Sequence, residues 1–200
     1  MRRLIKILAA AVLIALPAVC EAGPPLICHP FQTSGSELLL WGAGASWNSP
    51  DPRYDVQRLT ADVLRLLSPE APVLSRMENL RRAAIYAVQS KEAADQLLQA
   101  LLARADSADG RGNAAALFDA GYLIEAYKQS THMHRRPAPT RDGYALVARA
   151  IAVNGGNAEM EFAASLMTTG AQADAHLRRA KAEAASQPLL GQNIDNLWWR

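Results

Sequence analysis

A cysteine and a histidine stand side by side near the N-terminal end of the chain, at Cys28 and His29. A thiol beside an imidazole can be activated as a thiolate, or the two groups can supply ligands to a metal ion. Adjacent residues of an extended segment point to opposite faces, so neighbouring positions are weak evidence for a catalytic pair. Four interpretations of Cys28 stay open: a buried structural thiol, which we favour, a metal or haem-like ligand, an intermolecular or redox-active thiol, and a nucleophile.

Two further histidines alternate at His132 and His134, in a polar loop ahead of two arginines. Alternate histidines of an extended segment can chelate one ion, and a fold that brings Cys28 and His29 near them would complete a site of three or four ligands. The alternative is that both histidines are simply solvated. The candidate metal site therefore consists of Cys28, His29, His132 and His134, and no catalytic residue is assigned.

Other motifs match known chemistry poorly. A c-type haem site needs a second cysteine three residues before Cys28, where Pro25 stands. The glycine-rich segment 42–46 lacks the Gly-Lys-Ser/Thr ending of a phosphate loop and the closing glycine of a nucleophile elbow. We interpret this segment as a flexible turn, and the sequence predicts no cofactor.

Four carboxylates lie next to apolar helix faces without the pairing that acid–base catalysis requires. We expect charge-assisted contacts with Arg81, Arg82 or backbone amides of the strap instead. These carboxylates are Asp119, Glu125, Glu159 and Glu161.

The first 22 residues have the three-part layout of an export signal. Arg2, Arg3 and Lys6 form the positive region, Ile7–Val19 is the apolar region, and small residues lead to an expected cleavage near Ala22. The apolar run is shorter than the roughly 20 residues of a membrane-spanning helix, and no later segment is long and apolar enough. We therefore predict an exported protein, periplasmic or secreted, with no spanning helix after cleavage.

Cleavage would also change the charge balance and the cysteine count. The whole chain carries 21 Lys and Arg against 19 Asp and Glu, and removal of three basic residues and one acidic residue leaves 18 of each. A neutral domain lacks the basic face that nucleic-acid binding requires, so we predict no nucleic-acid partner. Loss of Cys20 leaves Cys28 as the single cysteine, which excludes an internal disulfide.

The rest of the chain divides into a strap at 23–50 and a helical domain at 51–200. Prolines and glycines recur along the strap, which predicts an extended lead-in. We expect the apolar stretch Leu38–Trp41 to anchor the strap on the helices, because so much apolar surface is atypical of a disordered tail.

From residue 52 onward, apolar residues repeat at intervals of three and four, which predicts consecutive amphipathic helices. Gly121 lies inside one of them and indicates close crossing by a neighbouring helix. The segment Leu117–Ile124 partly matches a tetratricopeptide repeat, although the helix starts do not recur every 34 residues. We predict an all-α, tetratricopeptide-like array of antiparallel helical hairpins. The expected N-caps include Asp51, Ser90, Thr140 and Asn157.

Five segments spread over most of the mature chain carry a family resemblance: Gly23–Phe31, Trp41–Gly42, Arg81–Ala87, Phe118–Lys128 and Glu159–Ala163. Together they resemble an uncharacterised family of exported bacterial proteins. That family usually has Ser-Leu-Pro-Trp in the strap where this chain has Leu38-Leu39-Leu40-Trp41. The resemblance implies export and a helical fold, and it adds no reaction.

Helical arrays often hold peptides or proteins on a concave face. We therefore predict a non-enzymatic scaffold or adaptor of the bacterial envelope that binds a protein or peptide, with the strap able to fill the groove as a self-ligand. The alternative is a metal- or thiol-dependent envelope protein built on Cys28, His29, His132 and His134. We expect the terminal Trp198 and Trp199 to dock on the core.

Overall fold

The computed structural model describes residues 25–44, 46–107, 112–131, 133 and 137–197. Within these ranges all regular structure is helical, as the sequence predicts. The α-helices are α1 Pro25–Cys28, α2 Leu59–Leu66, α3 Val73–Tyr86, α4 Lys91–Asp106, α5 Ala114–Gln129, α6 Gly143–Val153, α7 Ala158–Met167, α8 Gly170–Ala184 and α9 Pro188–Asp195. The predicted export signal at 1–22 and the terminal tryptophans, whose docking was also predicted, lie outside the described residues.

The helices pack as an array in which sequence neighbours lie side by side. Contacts join α4 to α5, α5 to α6, α6 to α7, and α7 to α8. The alternate helices α3, α5 and α7 also contact one another, and all three contact α1. The strap therefore begins on the layer formed by α3, α5 and α7.

The start of the strap is helical for one turn, which corrects the expectation of an extended segment there. Helix α1 runs from Pro25 to Cys28. A proline fits the first position of a helix because its missing N–H would have no partner in the helix anyway, and Pro30 follows soon after the last turn. Cys28 is therefore the last residue of a helical turn. The expectation that Cys28 and His29 point to opposite faces assumed an extended segment, which is absent at Cys28.

The start of α2 differs from the expected cap at Asp51. A short 3₁₀ turn at Val56–Arg58 leads into α2, and the Asp55 side chain caps it by accepting a hydrogen bond from the Gln57 amide. Asp51 instead accepts hydrogen bonds from the backbone and side chain of Arg53. The carboxylate of Asp51 therefore closes a local turn before the helix.

Four of the other helices, α4 to α7, begin after serine, asparagine or aspartate caps. Ser90 and Asn157 cap α4 and α7 as predicted, by accepting from the amides of residues 93 and 160. The predicted cap of α6 at Thr140 is wrong. Asp142 holds that place and accepts from the Ala145 amide at 3.0 Å, because its carboxylate stands three residues before that amide and Thr140 stands too far back.

Helices α5 and α6 cross at a pair of glycines, which confirms the interpretation of Gly121. A Cβ atom added at Gly121 would come 2.5 Å from the Gly143 carbonyl oxygen, and one added at Gly143 would come 2.5 Å from the Gly121 carbonyl oxygen. The obstacle on both sides is backbone, which cannot turn aside as a side chain can. The crossing distance is therefore set by the absence of both side chains.

The strap contributes to the same core as the helices. Leu26, Ile27, Phe31 and Leu39 are buried in it, whereas Leu40 is 52% exposed. Of the expected anchor Leu38–Trp41, only Leu39 is therefore fully inserted. This burial makes the strap a part of the folded domain.

Another contact ties the strap to the last helix. The Gln32 amide donates to Asn193 Oδ1 at 2.8 Å, and Asn193 Nδ2 donates to the Gln32 carbonyl oxygen at 3.0 Å. This reciprocal pair joins positions 161 residues apart.

Among the described residues, no helix combines the length and the apolar character that crossing a bilayer requires.

We expect Gly121→Ala to lower the free energy of unfolding by about 1–3 kcal/mol, because the added methyl group forces two backbones apart. This loss would outweigh the gain in helix propensity of about 1 kcal/mol. The matched control is Gly191→Ala within α9, where the nearest atom is a carbonyl oxygen at 3.6 Å. That variant should keep or slightly raise stability in urea unfolding. Equal effects of the two substitutions would contradict the crossing argument.

Candidate functional site

Helix α3 buries a row of charged and amide side chains that a helix usually exposes. Arg76, Glu78, Asn79 and Arg81 are each at most 2% exposed. Charged side chains are almost never so deeply buried unless they are paired. The groups that pair with these side chains therefore show what α3 binds.

The Glu78 carboxylate is the centre of this row. It accepts two hydrogen bonds from Arg81, at 2.8 and 2.9 Å, and one from Arg82 Nε at 2.7 Å. It also accepts from the Phe31 amide of the strap at 3.0 Å. Burial alone raises the pKa of Glu78, but the two arginines and the amide outweigh it, so the pKa lies below its ordinary value.

The two arginines extend the network to carbonyl oxygens of the strap. Arg81 Nη1 donates to the carbonyl oxygens of Ile27 and Trp47, at 3.2 and 3.0 Å. Arg82 Nη1 donates to the Leu39 carbonyl oxygen at 2.6 Å. One ionic cluster thus holds three separated points of the strap backbone.

Two uncharged side chains of α3 bind the strap backbone in the same way. Asn79 Oδ1 accepts from the Leu39 amide at 2.7 Å. The Tyr86 hydroxyl donates to the Leu40 carbonyl oxygen at 2.8 Å and accepts from the Asp51 amide at 2.9 Å. The side chains of α3 therefore recognise main-chain groups, which any sequence offers, along the length of the strap.

The ring of Trp41 covers the cluster from the solvent side. The guanidinium carbons of Arg81 and Arg82 lie 5.1 and 5.5 Å from the ring centre, within the range of cation–π attraction. Trp41 also packs edge-on against Tyr86 at 5.6 Å between ring centres.

A second buried ion pair links α3 to α5. Arg76 Nη1 donates to Asp119 Oδ2 at 2.8 Å, and both side chains are at most 2% exposed. Burial raises the pKa of Asp119 to about 6, against the charge and hydrogen bond of Arg76. Arg76 also donates to the carbonyl oxygens of Ala71 and Ser68. It therefore fastens the segment before α3.

The carboxylates picked out from the sequence make charge-assisted contacts, but with partners other than Arg81, Arg82 and the strap amides that we expected. Glu125 accepts from the amides of Gly143 and Tyr144 at the start of α6. Glu159 accepts from the Leu74 amide at 3.3 Å, and burial raises the pKa of Glu159. Both carboxylates thus accept hydrogen bonds from amides at the starts of neighbouring helices. The carboxylate that does hold Arg81 and Arg82 is Glu78.

The fourth carboxylate, Glu161, belongs to a chain of polar groups across α6, α7 and α8. His176 Nδ1 lies 2.5 Å from Glu161 Oε2, and His176 Nε2 lies 2.8 Å from the Tyr144 hydroxyl. Arg179 Nε lies 2.8 Å from the other carboxylate oxygen, in an ion pair. Arg179 Nη2 also lies 2.7 Å from His176 Nδ1, so this nitrogen lies between a carboxylate and a guanidinium. This chain of hydrogen bonds joins three helices.

Two of the four predicted metal ligands, Cys28 and His29, lie among the described residues. Cys28 is 5% exposed and His29 is half-buried. Burial, followed by the charge of Arg81, lowers the pKa of His29 to about 4. His132 and His134 lie outside the described residues, so the four-ligand site stays a prediction. Within the described ranges, no three histidine, cysteine or acidic side chains are grouped for metal binding.

The glycine-rich segment at 42–46 forms part of a turn, although Ala45 lies outside the described residues. The Gly42 amide donates to the Ser49 carbonyl oxygen at 3.1 Å. A Cβ atom at Gly42 would lie 2.6 Å from that same oxygen. The glycine therefore permits a close return of the chain between Trp41 and Trp47.

A surface groove runs between the strap and α2, and we call it the strap groove. Its cavity has a volume of about 330 Å³, and Arg65 and Glu37 form an exposed ion pair of 2.6 Å across it. The lining residues are Glu37, Leu38, Leu39, Leu40, Tyr54, Arg58, Asp62, Arg65 and Leu66.

No family model, curated protein or solved structure significantly matches this chain.

We expect Glu78→Gln to lower the free energy of unfolding by about 3–5 kcal/mol, because Arg81 keeps its charge in the core without a counter-charge. Urea unfolding at pH 7 measures the loss. The matched control is Asp106→Asn, which breaks the exposed pair with Arg141 and should change stability by at most about 1 kcal/mol. A small effect of Glu78→Gln would contradict the central place of this carboxylate.

The wild-type chain and Glu78→Gln also test how the stability of the fold depends on pH. Because the folded protein depresses the pKa of Glu78 below the ordinary value of 4.5, this group stabilises the fold fully above pH of about 4.5. The stabilisation is lost as the pH falls through the folded pKa. Unfolding measured from pH 7 to 3 should show a steeper acid loss for the wild-type chain than for Glu78→Gln, and parallel curves would contradict the assignment.

Proposed function

We propose that this protein is an exported bacterial scaffold or adaptor, without enzymatic activity, that binds a protein or peptide. The observation that carries the proposal is the recognition of strap backbone by buried side chains of α3. Asn79, Arg81, Arg82 and Tyr86 hold amides and carbonyl oxygens of a mostly non-helical segment. Such contacts are a means of seating an extended chain on a helical array.

The strap occupies this seat in the folded protein, which leaves the opposite side of the strap for a partner. Leu39 is buried against the helices while Leu40 is 52% exposed beside the groove. A segment that is bound to α3 on one side and exposed on the other presents a rigid surface. Rigidity lowers the entropic cost of binding a partner. The partner-binding face is therefore assigned to the strap and α2.

Site-specific photo-crosslinking in bacterial cells tests the proposal. With p-benzoylphenylalanine in place of Leu40, we expect a reproducible protein adduct, because this position faces a bound partner. The matched control carries the same group in place of Val153, which is 44% exposed on α6. Absence of an adduct at position 40, or the same adducts at both positions, would count against an adaptor that uses this face.

Fractionation of the same cells checks the compartment. The proposal expects a form that lacks residues 1–22, in the periplasm or the medium. An unprocessed chain retained in the cytoplasm would contradict the export part of the proposal while leaving the crosslinking result intact.

A second candidate function, a metal- or thiol-dependent envelope protein, is favoured by one contact. The Leu26 amide donates to Gln129 Oε1 at 2.8 Å, which places α1 against the C-terminal end of α5, just before His132. His29, with its pKa near 4, is neutral at pH 7, which is the form that binds metals. The candidate ligands remain Cys28, His29, His132 and His134.

Metal analysis of the purified mature protein after incubation with zinc separates the two candidates. The metal candidate expects one zinc per chain and its loss in a variant carrying both His132→Ala and His134→Ala. This loop variant keeps the test valid if Cys28→Ser disturbs the core. Zinc-free protein, or zinc retained in the double variant, would sink the metal candidate.

A further inference from the structure

The strap is held at Glu37, Leu39 and Leu40 on the side that faces α3, where the Tyr86 hydroxyl donates to the Leu40 carbonyl oxygen at 2.8 Å. Both the amide and the carbonyl oxygen of Leu39 bond to α3, and the Glu37 carbonyl oxygen accepts from Asn79 Nδ2 at 3.5 Å. Contacts at Glu37 and Leu39, with none at Leu38 between them within the described residues, fit an extended segment over these three residues, in which successive peptide groups face opposite sides. The main-chain groups of Leu38 are therefore expected on the side away from α3, and Leu38 lines the strap groove.

No protein hydrogen bond to the Leu38 amide or carbonyl oxygen occurs among the described residues. An extended segment with one bonded edge and one open edge is equivalent to the edge strand of a sheet, which accepts an added strand. We propose that the strap groove binds an extended, uncharged peptide segment of a partner protein, paired with the open edge of the strap. This inference rests on the proposed adaptor function and names the partner's chemistry.

The charges of the groove indicate why the segment should be uncharged. Arg65 pairs with Glu37 at 2.6 Å, and Asp62 pairs with Arg58 and accepts from the Tyr54 hydroxyl. Because these groups already satisfy one another, a charged side chain entering the groove would find no unmatched counter-charge and would lose its hydration.

The apolar part of the groove indicates aliphatic side chains. Leu40 is exposed, and Leu38 and Leu66 line the groove beside it. Four strap residues from Glu37 to Leu40 span about 13 Å at roughly 3.3 Å per residue. The groove therefore suits a segment of about four to six residues in which aliphatic side chains alternate with small polar ones.

A second copy of the chain fits this groove poorly. A symmetric dimer needs one surface patch that complements itself. The strap is one wall of a concave groove whose other wall is α2, so the strap of a second copy would arrive with its own α2 beside it. Two concave surfaces leave a gap between them, whereas a free peptide segment can enter.

Fluorescence anisotropy with the purified mature chain tests this binding mode. The probe is a fluorescein-labelled hexapeptide, Thr-Val-Thr-Leu-Thr-Val, with acetyl and amide ends. We expect saturable binding that weakens at least tenfold in Leu40→Lys and stays unchanged in Val153→Lys. Both positions are exposed, so neither substitution disturbs the core, and circular dichroism confirms equal folding.

A second peptide isolates the main-chain contribution. It has the same side chains, with N-methyl groups on the amides that would face the strap. We expect its binding to be at least tenfold weaker, because the methyl groups remove the donors that pair with the strap edge. Equal binding of the two peptides would overturn the edge-pairing model.

The remaining outcomes also decide the matter. Absence of binding by the first peptide would overturn the assigned peptide chemistry, while a position-40 adduct in cells would still support an adaptor. Equal weakening by Leu40→Lys and Val153→Lys would show that binding is not in the groove. Self-association in ultracentrifugation that Leu40→Lys abolishes would replace the peptide with a second copy of the chain.

Discussion

The fold depends on a carboxylate that has been taken out of water. Glu78 lies in the core and is balanced there by Arg81 and Arg82, which carry more charge than it can neutralise alone. The excess is spread over carbonyl oxygens of the strap and the face of Trp41. Each partner is needed because an incompletely satisfied buried charge costs several kcal/mol. The strap backbone is thus part of the solvation shell of an ion cluster.

This arrangement favours a unique position of the strap over maximal stability. Apolar packing alone tolerates sliding, because one aliphatic side chain fits where another was. A set of directed hydrogen bonds at Ile27, Leu39 and Leu40 accepts one register of the chain and penalises a shift by even one residue. The exposed side of the strap, and any surface formed with α2, inherits that fixed register.

Much of the fold could be read from the sequence because helices carry their signals locally. Apolar spacing and the caps Ser90 and Asn157 predict their helices, and Gly121 predicts a close crossing. The exceptions have local causes: α1 is a single turn begun by a proline, Asp55 caps the 3₁₀ turn that leads into α2, and Asp142 replaces the expected cap of α6.

The site was harder to predict because it is built from long-range contacts. Glu78 looks like an ordinary surface residue of a polar helix segment, and nothing nearby in sequence shows that Phe31 will supply an amide to it. The hydrogen bonds of His176 likewise depend on Glu161 and Tyr144, which lie on other helices. A signal was present, however: three arginines and a glutamate in a helix that is apolar on several sides leave too few exposed positions for them.

The reciprocal hydrogen bonds between Gln32 and Asn193 join a residue that is synthesised early to one that is synthesised late. A chain that emerges from a ribosome or a membrane channel with its N-terminus first makes the strap early and α9 last. The contact at Gln32 cannot form until Asn193 has emerged, so this one point of strap docking comes after the contacts with α3. Until then the main-chain groups of Gln32 lack this partner, whereas α3, which is made earlier, can already hold Ile27, Leu39 and Leu40.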